Sequence, residues 1–190
     1  MMKTLIIGGA RSGKSAWAEQ QAAAFAAQSP AHDVVVIATA HAGDEEMAAR
    51  IAAHQAQRPA GWRTLEAPLA LADTLRAADA PQRLLLVDCL TLWLTNVLLA
   101  DVAPDVDLGT VRRLTPGPTL ERERAALLTV LPTLRAQVLL IGNEVGHGIV
   151  PMGALNRLFV DENGRLHQAV AACCDQVRFV MAGCALALKG

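Results

Sequence analysis

The sequence predicts an α/β fold in which a mostly parallel sheet carries helices on both faces. Three observations indicate this fold. Apolar runs of strand length alternate with alanine-rich stretches, a glycine-rich turn joins the first run to the first such stretch, and the last two runs are nearly contiguous around Gly183. Continuous apolar strands separated by helices are typical of parallel sheets buried on both faces. With 190 residues the chain is long enough for one substantial core, so residues 1–190 are predicted to form a single domain.

The predicted elements follow one another in an alternating order. The strand candidates are residues 3–7, 33–38, 62–66, 83–88, 137–142, 176–183 and 184–189. The helical patterns begin near Gly13, Asp44, Pro68, Leu90, Leu120 and Gly153. Almost nothing connects the last two strands, so they are predicted to form an antiparallel hairpin at one edge of the sheet. The segment from Asp101 to Thr119 has three prolines and two glycines, and it is predicted to be a mobile loop or an excursion from the domain.

The composition disfavours membrane proteins and nucleic-acid-binding proteins. Hydrophobic residues make up 53% of the chain, but no apolar run approaches the roughly 20 residues that a membrane span needs. The net charge of −1, the three tryptophans and three phenylalanines and the lack of tyrosine argue against a basic track or a stacking platform. The four cysteines form no C-x-x-C pair, and the chain opens directly in a predicted strand. We therefore expect a cytoplasmic protein with no signal peptide, no membrane span and no nucleic-acid partner.

Residues 8–15, GGARSGKS, fit the phosphate-binding pattern G-x-x-x-x-G-K-[ST] between the first predicted strand and the first predicted helix. Gly8 and Gly13 let the backbone turn tightly and approach an anion, and the helix that follows directs its free N–H groups at a phosphate. Lys14 can reach the outer phosphates, and the Ser15 hydroxyl can bind Mg²⁺. A glycine turn with a chance Gly-Lys-Ser is the alternative, but it does not account for the strand and helix on either side. The chain is therefore predicted to bind a nucleoside triphosphate.

Asp88 ends the apolar run 84–87 and is predicted to be a second part of the same site. A carboxylate at the C-terminal tip of a parallel strand faces the crevice where ligands bind. In phosphate-loop proteins this acid holds Mg²⁺, usually through water. The alternative is that Asp88 is the N-cap of the helix beginning at Leu90, and one residue can fill both roles.

His54 is the most informative of the five histidines. Met47, Ile51, His54 and Arg58 fall on one face of the predicted helix that starts near Asp44. A histidine on such a stripe is usually a packed residue. A chemical role is favoured by Arg58, which lies one turn further along, and by the helix following a strand that ends at the expected crevice. His41 in the connecting loop is interpreted as solvated.

Five strings, in this order, resemble one family closely: GGARSGKS, IAT, DEEMAARIAAHQAQRPAGWRTLE, DCLTLWLTN and NEVGHGIVP. It is the family of bifunctional adenosylcobinamide kinases/adenosylcobinamide-phosphate guanylyltransferases of cobalamin biosynthesis. The resemblance spans nearly the whole chain and ends with a pattern formed by Arg157, Phe159, Asp161 and Gly164. Very many proteins share the phosphate loop, whereas the strings around His54 and Glu144 are much more specific. The chain departs from the family at His167, where asparagine is usual, and in the segment 101–119.

The resemblance implies a RecA-like phosphate-loop domain, assembled as a homotrimer, with defined site residues. It identifies His54 as the histidine that becomes guanylylated and Lys14 as the other catalytic residue. The implied Mg²⁺ ligands are Ser15 and Asp88, bound directly or through water. The implied nucleotide-binding residues are Gly8, Gly9, Ala10, Arg11, Ser12, Gly13, Lys14, Ser15, Ile37, Ala38, Thr39, Gln55, Ala56, Gln57, Arg58, Glu66 and Asp88.

The resemblance also implies two reactions. In the first, ATP or GTP phosphorylates the hydroxyl of the aminopropanol arm of adenosylcobinamide. In the second, His54 attacks the α-phosphate of GTP, and the GMP then passes to adenosylcobinamide phosphate to give adenosylcobinamide-GDP. Glu66 can accept hydrogen bonds from the guanine base or from a ribose hydroxyl, and spacing does not choose between them. Glu144 is either a base for the substrate hydroxyl, an orienting group for metal-bound water, or a turn cap.

Three other functions compete with this interpretation. A simple small-molecule kinase would use the phosphate loop and form no covalent nucleotide adduct. A regulatory GTP switch would need an N-K-x-D guanine signature, and the sequence has none. A RecA-like nucleic-acid motor is disfavoured by the near-neutral charge and the scarcity of aromatic residues.

Overall fold

The computed structural model describes residues 1–40, 59, 61–103, 105–109 and 111–190. The strands are β1 (Lys3–Gly8), β2 (Asp33–Ala38), β3 (Arg63–Glu66), β4 (Arg83–Asp88), β5 (Gln137–Asn143), β6 (Gln176–Met181) and β7 (Cys184–Lys189). The helices are α1 (Lys14–Ala27), α2 (Leu71–Ala78), α3 (Leu90–Leu99), α4 (Pro118–Val130) and α5 (Ala154–Cys173), and a 3-10 helix covers Leu131–Thr133.

The strands of the described residues form one sheet in the order β3-β2-β4-β5-β1-β6-β7. Neighbouring strands from β3 to β6 are parallel, and only β7 runs antiparallel, pairing with β6. The C-terminal ends of β1 to β5 therefore meet at one edge of the sheet. We call this the carboxyl edge, and its strand-terminal residues are Gly8, Ala38, Glu66, Asp88 and Asn143.

Alternate side chains of the strands fill two separate cores. Val35, Ile37 and Leu85 belong to the larger core, which lies beneath α2, α3, α4 and α5. Val36 and Leu86, one residue further along, belong to the smaller core, which contains the buried face of α1. Because both faces of the central strands are covered, these strands are apolar throughout rather than alternating with polar residues.

The predicted fold class is confirmed, including the antiparallel pair at the C-terminal edge. The predicted strands 33–38, 83–88 and 184–189 agree with β2, β4 and β7. The sixth predicted strand was too long, because it ends at Met181 and not at residue 183. Ala182 and Gly183 have positive φ values of 52° and 78° and form the turn to β7. The helix predicted near Asp44 lies outside the described residues.

The segment between α3 and α4 contains no helix or strand in its described residues, 100–103, 105–109 and 111–117. Its two ends are joined by Asp101, whose carboxylate accepts hydrogen bonds from the backbone N–H of Thr119 at 2.8 Å and from its hydroxyl at 2.7 Å. Helix α4 begins at Pro118, two residues before the predicted start. Proline suits this first helical position, because its fixed φ matches the helix and its missing N–H has no helical partner there.

Among the described helices, none combines the length and the apolar character that crossing a membrane requires.

Candidate active site

The phosphate loop, residues 8–15, connects β1 to α1 at the carboxyl edge. Gly13 is the N-cap of α1 with φ +95°, and Arg11 also has a positive φ, of 55°. The backbone N–H of Ser12 donates to the carbonyl oxygen of Gly9 at 3.2 Å, which tightens the loop. Glycine adopts positive φ readily, so Gly13 lets the chain turn directly into the helix. The first turn of α1 has no acidic residue, so its positive end is available to an anion.

Lys14 is held inside this loop. It is 8% exposed, and its Nζ donates to the carbonyl oxygen of Gly9 at 3.0 Å. Burial lowers the pKa of Lys14 from its ordinary value of 10.5, while the charges of Cys89 and Asp88 act in the opposite direction. Burial raises the pKa of the Cys89 thiol, so that thiol is neutral near pH 7. Asp88, at the end of β4, is therefore the negative charge that acts on the pKa of Lys14.

Asp88 occupies the position expected of a metal-binding acid. It is the last residue of β4, and α3 begins at Leu90 with Cys89 as its N-cap. The alternative that Asp88 is the N-cap of this helix is wrong, because the cap position falls on the next residue. The carboxylate is close enough to Lys14 to affect its pKa, and Ser15 follows Lys14 in the first turn of α1. A carboxylate and a hydroxyl beside a phosphate-binding loop are oxygen donors of the kind that Mg²⁺ prefers, so these residues fit the ion.

Thr39 links the ends of β2 and β4. Its hydroxyl donates to the carbonyl oxygen of Cys89 at 2.6 Å and accepts from the Cys89 backbone N–H at 2.9 Å. Its own N–H donates to the carbonyl oxygen of Asp88 at 3.2 Å, and its carbonyl oxygen accepts from Asn96 Nδ2 at 2.8 Å. Thr39 is fully buried and its only side-chain donor is used. Thr39 therefore fixes the backbone next to Asp88.

The three predicted nucleotide contacts at the end of β2 differ in exposure. Ile37 is fully buried and packs in the larger core. Ala38 is half-buried, and its carbonyl oxygen accepts from the backbone N–H of Ala67 at 2.8 Å, just after β3. Of Ile37, Ala38 and Thr39, Ala38 therefore has the most accessible side chain.

Glu66 lies at the same edge of the sheet but far from the phosphate loop. It ends β3, the outermost described strand on that side, and is paired with Ala38 in the register of β2 and β3. All four residues of β3 are exposed. Glu66 is therefore accessible to a ligand at the carboxyl edge.

The predicted nucleophile and its neighbours, His54, Gln55, Ala56, Gln57 and Arg58, lie outside the described residues. Their assignments stay predictions. Pro59 is described, and its carbonyl oxygen accepts from the backbone N–H of Trp62 at 3.0 Å, just before β3.

Glu144 follows β5 and is attached to the phosphate loop through the backbone. Its N–H donates to the carbonyl oxygen of Gly8 at 3.0 Å, and its Oε1 accepts from the backbone N–H of Gly146 at 2.5 Å. The turn-capping alternative is thus observed. Immediately before it, the N–H of Asn143 donates to Thr91 Oγ1 at 2.7 Å, and its carbonyl oxygen accepts from Asn163 Nδ2 at 3.0 Å. These bonds place the Glu144 backbone beside the first residue of the phosphate loop.

Among the described histidines, His32 and His167 lie in contrasting surroundings. His32 stacks on Phe25 with ring centroids 4.1 Å apart, and its Nδ1 is 2.8 Å from the Phe25 carbonyl oxygen. His167 is 6% exposed, and neither of its ring nitrogens has a hydrogen-bond partner within the described part of the chain. Burial lowers its pKa, although the charge of Glu144 acts in the opposite direction. His167, which stands where the family usually has asparagine, therefore lies close to the turn at Glu144.

The family model for cobinamide kinase / cobinamide phosphate guanyltransferase matches residues 4–188. The chain belongs to this family. The predicted bifunctional enzyme of cobalamin biosynthesis is thereby confirmed at the level of the family.

Two relatives match the chain over nearly its whole length. A bifunctional adenosylcobalamin biosynthesis protein from Pseudomonas aeruginosa is 51% identical over 189 residues, covering 100% of this chain and 98% of the relative. A bifunctional adenosylcobalamin biosynthesis protein from Salmonella typhimurium is 40% identical over 193 residues, covering 99% and 100%. Among solved structures, a KaiC-like protein from Pyrococcus horikoshii is similar with a TM-score of 0.48 and 14% identity, covering 94% of this chain and 70% of that one.

Sequence reasoning missed several residues that shape the site of this cobinamide kinase/guanyltransferase family member. Thr91 holds the end of β5, and no local motif distinguishes it from other helical polar residues. Asn163 also holds the end of β5, and its spacing of four residues from His167 on one face of α5 could have drawn attention to it. Gly183, far along the chain from the phosphate loop, donates its backbone N–H to the Ser12 carbonyl oxygen of that loop.

Proposed function

We propose that this protein phosphorylates adenosylcobinamide with ATP or GTP and then transfers GMP from GTP, through His54, to give adenosylcobinamide-GDP. The observation that carries the proposal is the phosphate loop. In it, Lys14 donates to the Gly9 carbonyl oxygen, and the charge of Asp88 at the end of β4 acts on the pKa of Lys14. Membership of a kinase and guanyltransferase family over residues 4–188 supports both activities.

In the kinase reaction, the hydroxyl oxygen of adenosylcobinamide attacks the γ-phosphorus of the triphosphate. The bond from that phosphorus to the β,γ-bridging oxygen breaks, the nucleoside diphosphate leaves, and the hydroxyl proton passes to a base or to water. Such transfer depends mainly on positioning and charge neutralisation. Lys14 and the N–H groups of residues 8–15 would supply these, and we assign to Glu144, whose backbone N–H donates to the Gly8 carbonyl oxygen, the role of accepting the proton or orienting water. Because the γ-phosphate is remote from the base, ATP and GTP can both serve.

Ser15 and Asp88 are the residues that would hold Mg²⁺, directly or through water. The ion would neutralise charge on the phosphate oxygens. The protein's own contribution is to fix the two oxygen donors, one in the first turn of α1 and one at the end of β4.

In the transferase reaction, a neutral imidazole nitrogen of His54 attacks the α-phosphorus of GTP. The phosphorus–oxygen bond to pyrophosphate breaks and a phosphoramidate to GMP forms. A phosphate oxygen of adenosylcobinamide phosphate then attacks the same phosphorus, the phosphorus–nitrogen bond breaks, and His54 is regenerated. Arg58 is assigned to the α-phosphate, because a guanidinium matches phosphate geometry. Gln55, Ala56 and Gln57 are assigned as further nucleotide contacts.

Glu66 is assigned to the guanosine end of the nucleotide. Its exposed position at the end of β3 supports a contact with either the guanine edge or a ribose hydroxyl. The triphosphate would then lie at the β1 end of the carboxyl edge and the nucleoside towards β3, passing Ala38.

The test is incubation with α-labelled GTP and Mg²⁺, followed by denaturation. A label that survives base and is lost in acid indicates a phosphoramidate, and it should be missing in His54→Ala. The same variant should keep the kinase activity, whereas His41→Ala, a control at a histidine 13 positions earlier in the sequence, should keep both activities. Equal loss of both activities in His54→Ala would contradict the division of labour, and an unlabelled wild-type protein would contradict the covalent route.

We also propose that the protein is a cytoplasmic homotrimer. The edge strand β7 is exposed at all six residues, and Ile149 and Met152 are 98% and 94% exposed. Apolar surface and unpaired strand edges of this kind are typical of assembly interfaces. All four cysteines are free, which suits a reducing compartment. Sedimentation velocity should give the mass of three chains, and a monomeric mass at working concentration would exclude the trimer.

A further inference from the structure

The hairpin turn between β6 and β7 lies directly against the phosphate loop. Met181 is paired with Cys184, so Ala182 and Gly183 alone form the turn. Both have positive φ, as in the type I′ turns that join two-residue hairpins. The backbone N–H of Gly183 donates to the carbonyl oxygen of Ser12 at 2.8 Å. The turn therefore makes a hydrogen bond to the loop that is predicted to bind phosphate.

Two of the three glycines of the loop, Gly8 and Gly13, are packed against this hairpin. A Cβ atom added at Gly8 would lie 2.4 Å from the carbonyl oxygen of Val180. A Cβ added at Gly13 would lie 2.9 Å from the Cα of Gly183. Both contacts are with backbone atoms, which cannot move aside as the end of a side chain can. The loop and the hairpin therefore fit together only because both loop positions lack side chains.

We propose that Gly183 is a positioning residue for both reactions, acting through Ser12 and Gly13 on the phosphate loop. This inference rests on the proposed function, because it assumes that the loop binds the triphosphate. A phosphate-binding loop works by directing backbone N–H groups at fixed points. The loop has a second positive φ, at Arg11, and one of its carbonyl groups is held by the hairpin turn. A change in the backbone at residue 183 would therefore move the N–H groups that face the phosphates.

Two substitutions at the same position separate backbone conformation from added bulk. A Cβ at Gly183 would meet nothing within 4 Å, so both asparagine and valine have room for a side chain. Asparagine adopts positive φ readily, whereas a β-branched residue does not. Gly183→Asn should therefore keep the turn, and Gly183→Val should distort it.

The experiment measures binding of a fluorescent GTP analogue at equilibrium, together with KM and kcat for both reactions. Gly183→Val should raise the Kd for the triphosphate about tenfold or more, since misplacement of positioned groups by about 1 Å has effects of this size. Gly183→Asn should stay within about threefold of the wild type, because its backbone can keep φ near +78°. Val177→Ala, a buried substitution in β6 away from the turn, is the stability control and should lower the melting temperature without changing the Kd.

Each outcome bears on one of the two proposals. If Gly183→Val binds the triphosphate as well as Gly183→Asn does, the positioning role is wrong while the proposed function stands. If Val177→Ala weakens binding as much as Gly183→Val, the effect is one of stability and the positioning role is again wrong. If Gly183→Val does not fold, Gly183→Ala replaces it and must show a smaller loss in the same direction. A wild-type protein that binds no triphosphate overturns the proposed function and this inference with it.

Discussion

The two ends of the carboxyl edge are built in different ways. At β1, backbone atoms of the β6–β7 hairpin pack against the phosphate loop, and the loop holds the buried Lys14. At β3, the edge strand is exposed at all four residues, and Glu66 presents its side chain to solvent. Four strand spacings separate β1 from β3, or about 19 Å.

Under the proposed function, this contrast would divide the recognition of a nucleotide between the two ends of the sheet. Phosphates are alike in every nucleoside triphosphate, so a rigid cradle of backbone N–H groups binds them regardless of the base. Bases differ only in their polar edges, and an accessible side chain can read those edges. Substitutions at the β1 end should therefore abolish catalysis, while substitutions at the β3 end should change the choice of nucleotide.

Lys14→Ala should have the largest effect. Removing the buried ammonium group should lower both activities by about 100-fold or more, as the loss of one group that stabilises transition-state charge does in other enzymes. Product formation is measured separately with adenosylcobinamide and with its phosphate. Lys3→Ala is the control, because Lys3 is a buried lysine at the other end of β1 whose Nζ donates to Met1 and Leu134 carbonyl oxygens. The control should lose stability and keep its KM for GTP, and a Lys14→Ala enzyme with near-normal turnover would refute the role of this lysine.

Thr39→Val tests the connection between the ends of β2 and β4. The valine keeps the shape but leaves the Cys89 N–H and carbonyl group without the hydroxyl, at a cost of about 2 kcal/mol for unmade buried hydrogen bonds. The free energy of unfolding in urea should fall by that amount, and turnover should fall because Asp88 is adjacent to Cys89. Thr95→Val, which removes one hydroxyl bond within α3, is the matched control. An unchanged free energy of unfolding in Thr39→Val would show that the hydrogen bonds between the Thr39 hydroxyl and the Cys89 backbone contribute nothing to stability.

Glu66→Gln should have a smaller and selective effect. Because Glu66 is exposed, the melting temperature should not change, but the efficiency of GMP transfer should fall about tenfold if the carboxylate binds the nucleoside. Inosine triphosphate, which lacks the guanine amino group, separates the two possible contacts. A contact with the guanine edge predicts a loss larger for GTP than for inosine triphosphate, and a ribose contact predicts equal losses. Asp73→Asn, an exposed acid on α2, is the control, and unchanged kinetics in Glu66→Gln would remove this residue from the site.

His167→Leu should give the smallest effect, on stability and its pH dependence. Burial lowers the pKa of His167 in the folded protein, so the unfolded chain takes up the proton at a higher pH than the folded chain does. The free energy of unfolding should therefore fall as the pH drops below the ordinary histidine pKa of 6.5. His167→Leu should remove this part of the slope, and Val170→Ala, on the same helix, should keep it. A slope that is identical in His167→Leu and the wild type would exclude His167 as its source.

The sheet was largely predictable because its signals are local. The apolar runs of β2 and β4 are bounded by polar residues, so their ends could be located from the local sequence alone. The hairpin was predictable because two strand-like runs adjoin. The strand order was not, because nothing local shows that β5 inserts between β1 and β4. The phosphate loop was predictable because Gly8 and Gly13 meet backbone requirements and Lys14 and Ser15 supply side-chain groups, all at fixed spacing.

Contacts between distant parts of the chain could not be predicted. The bond from Gly183 to Ser12 joins residues far apart in sequence, and Ala-Gly in a turn has no pattern that points to a partner. Thr39 was selected as a nucleotide contact from the family resemblance, whereas its hydroxyl is committed to Cys89. Asp88 fits a capping pattern, but the helix begins one residue too late for that role. In each case the decisive factor is tertiary packing, which sequence spacing does not contain.

The position of the hairpin has a consequence for folding during synthesis of the protein. Residues 8–15 leave the ribosome long before residues 180–183, on which they are packed. The two strands that flank β1 in the sheet, β5 and β6, are also made well after β1. A nascent chain thus displays the complete phosphate-binding string while the intervening residues are made, without the support that shapes it. We expect nucleotide binding to begin only after residue 183 has emerged, and chains that stop short of residue 183 to be unable to retain GTP.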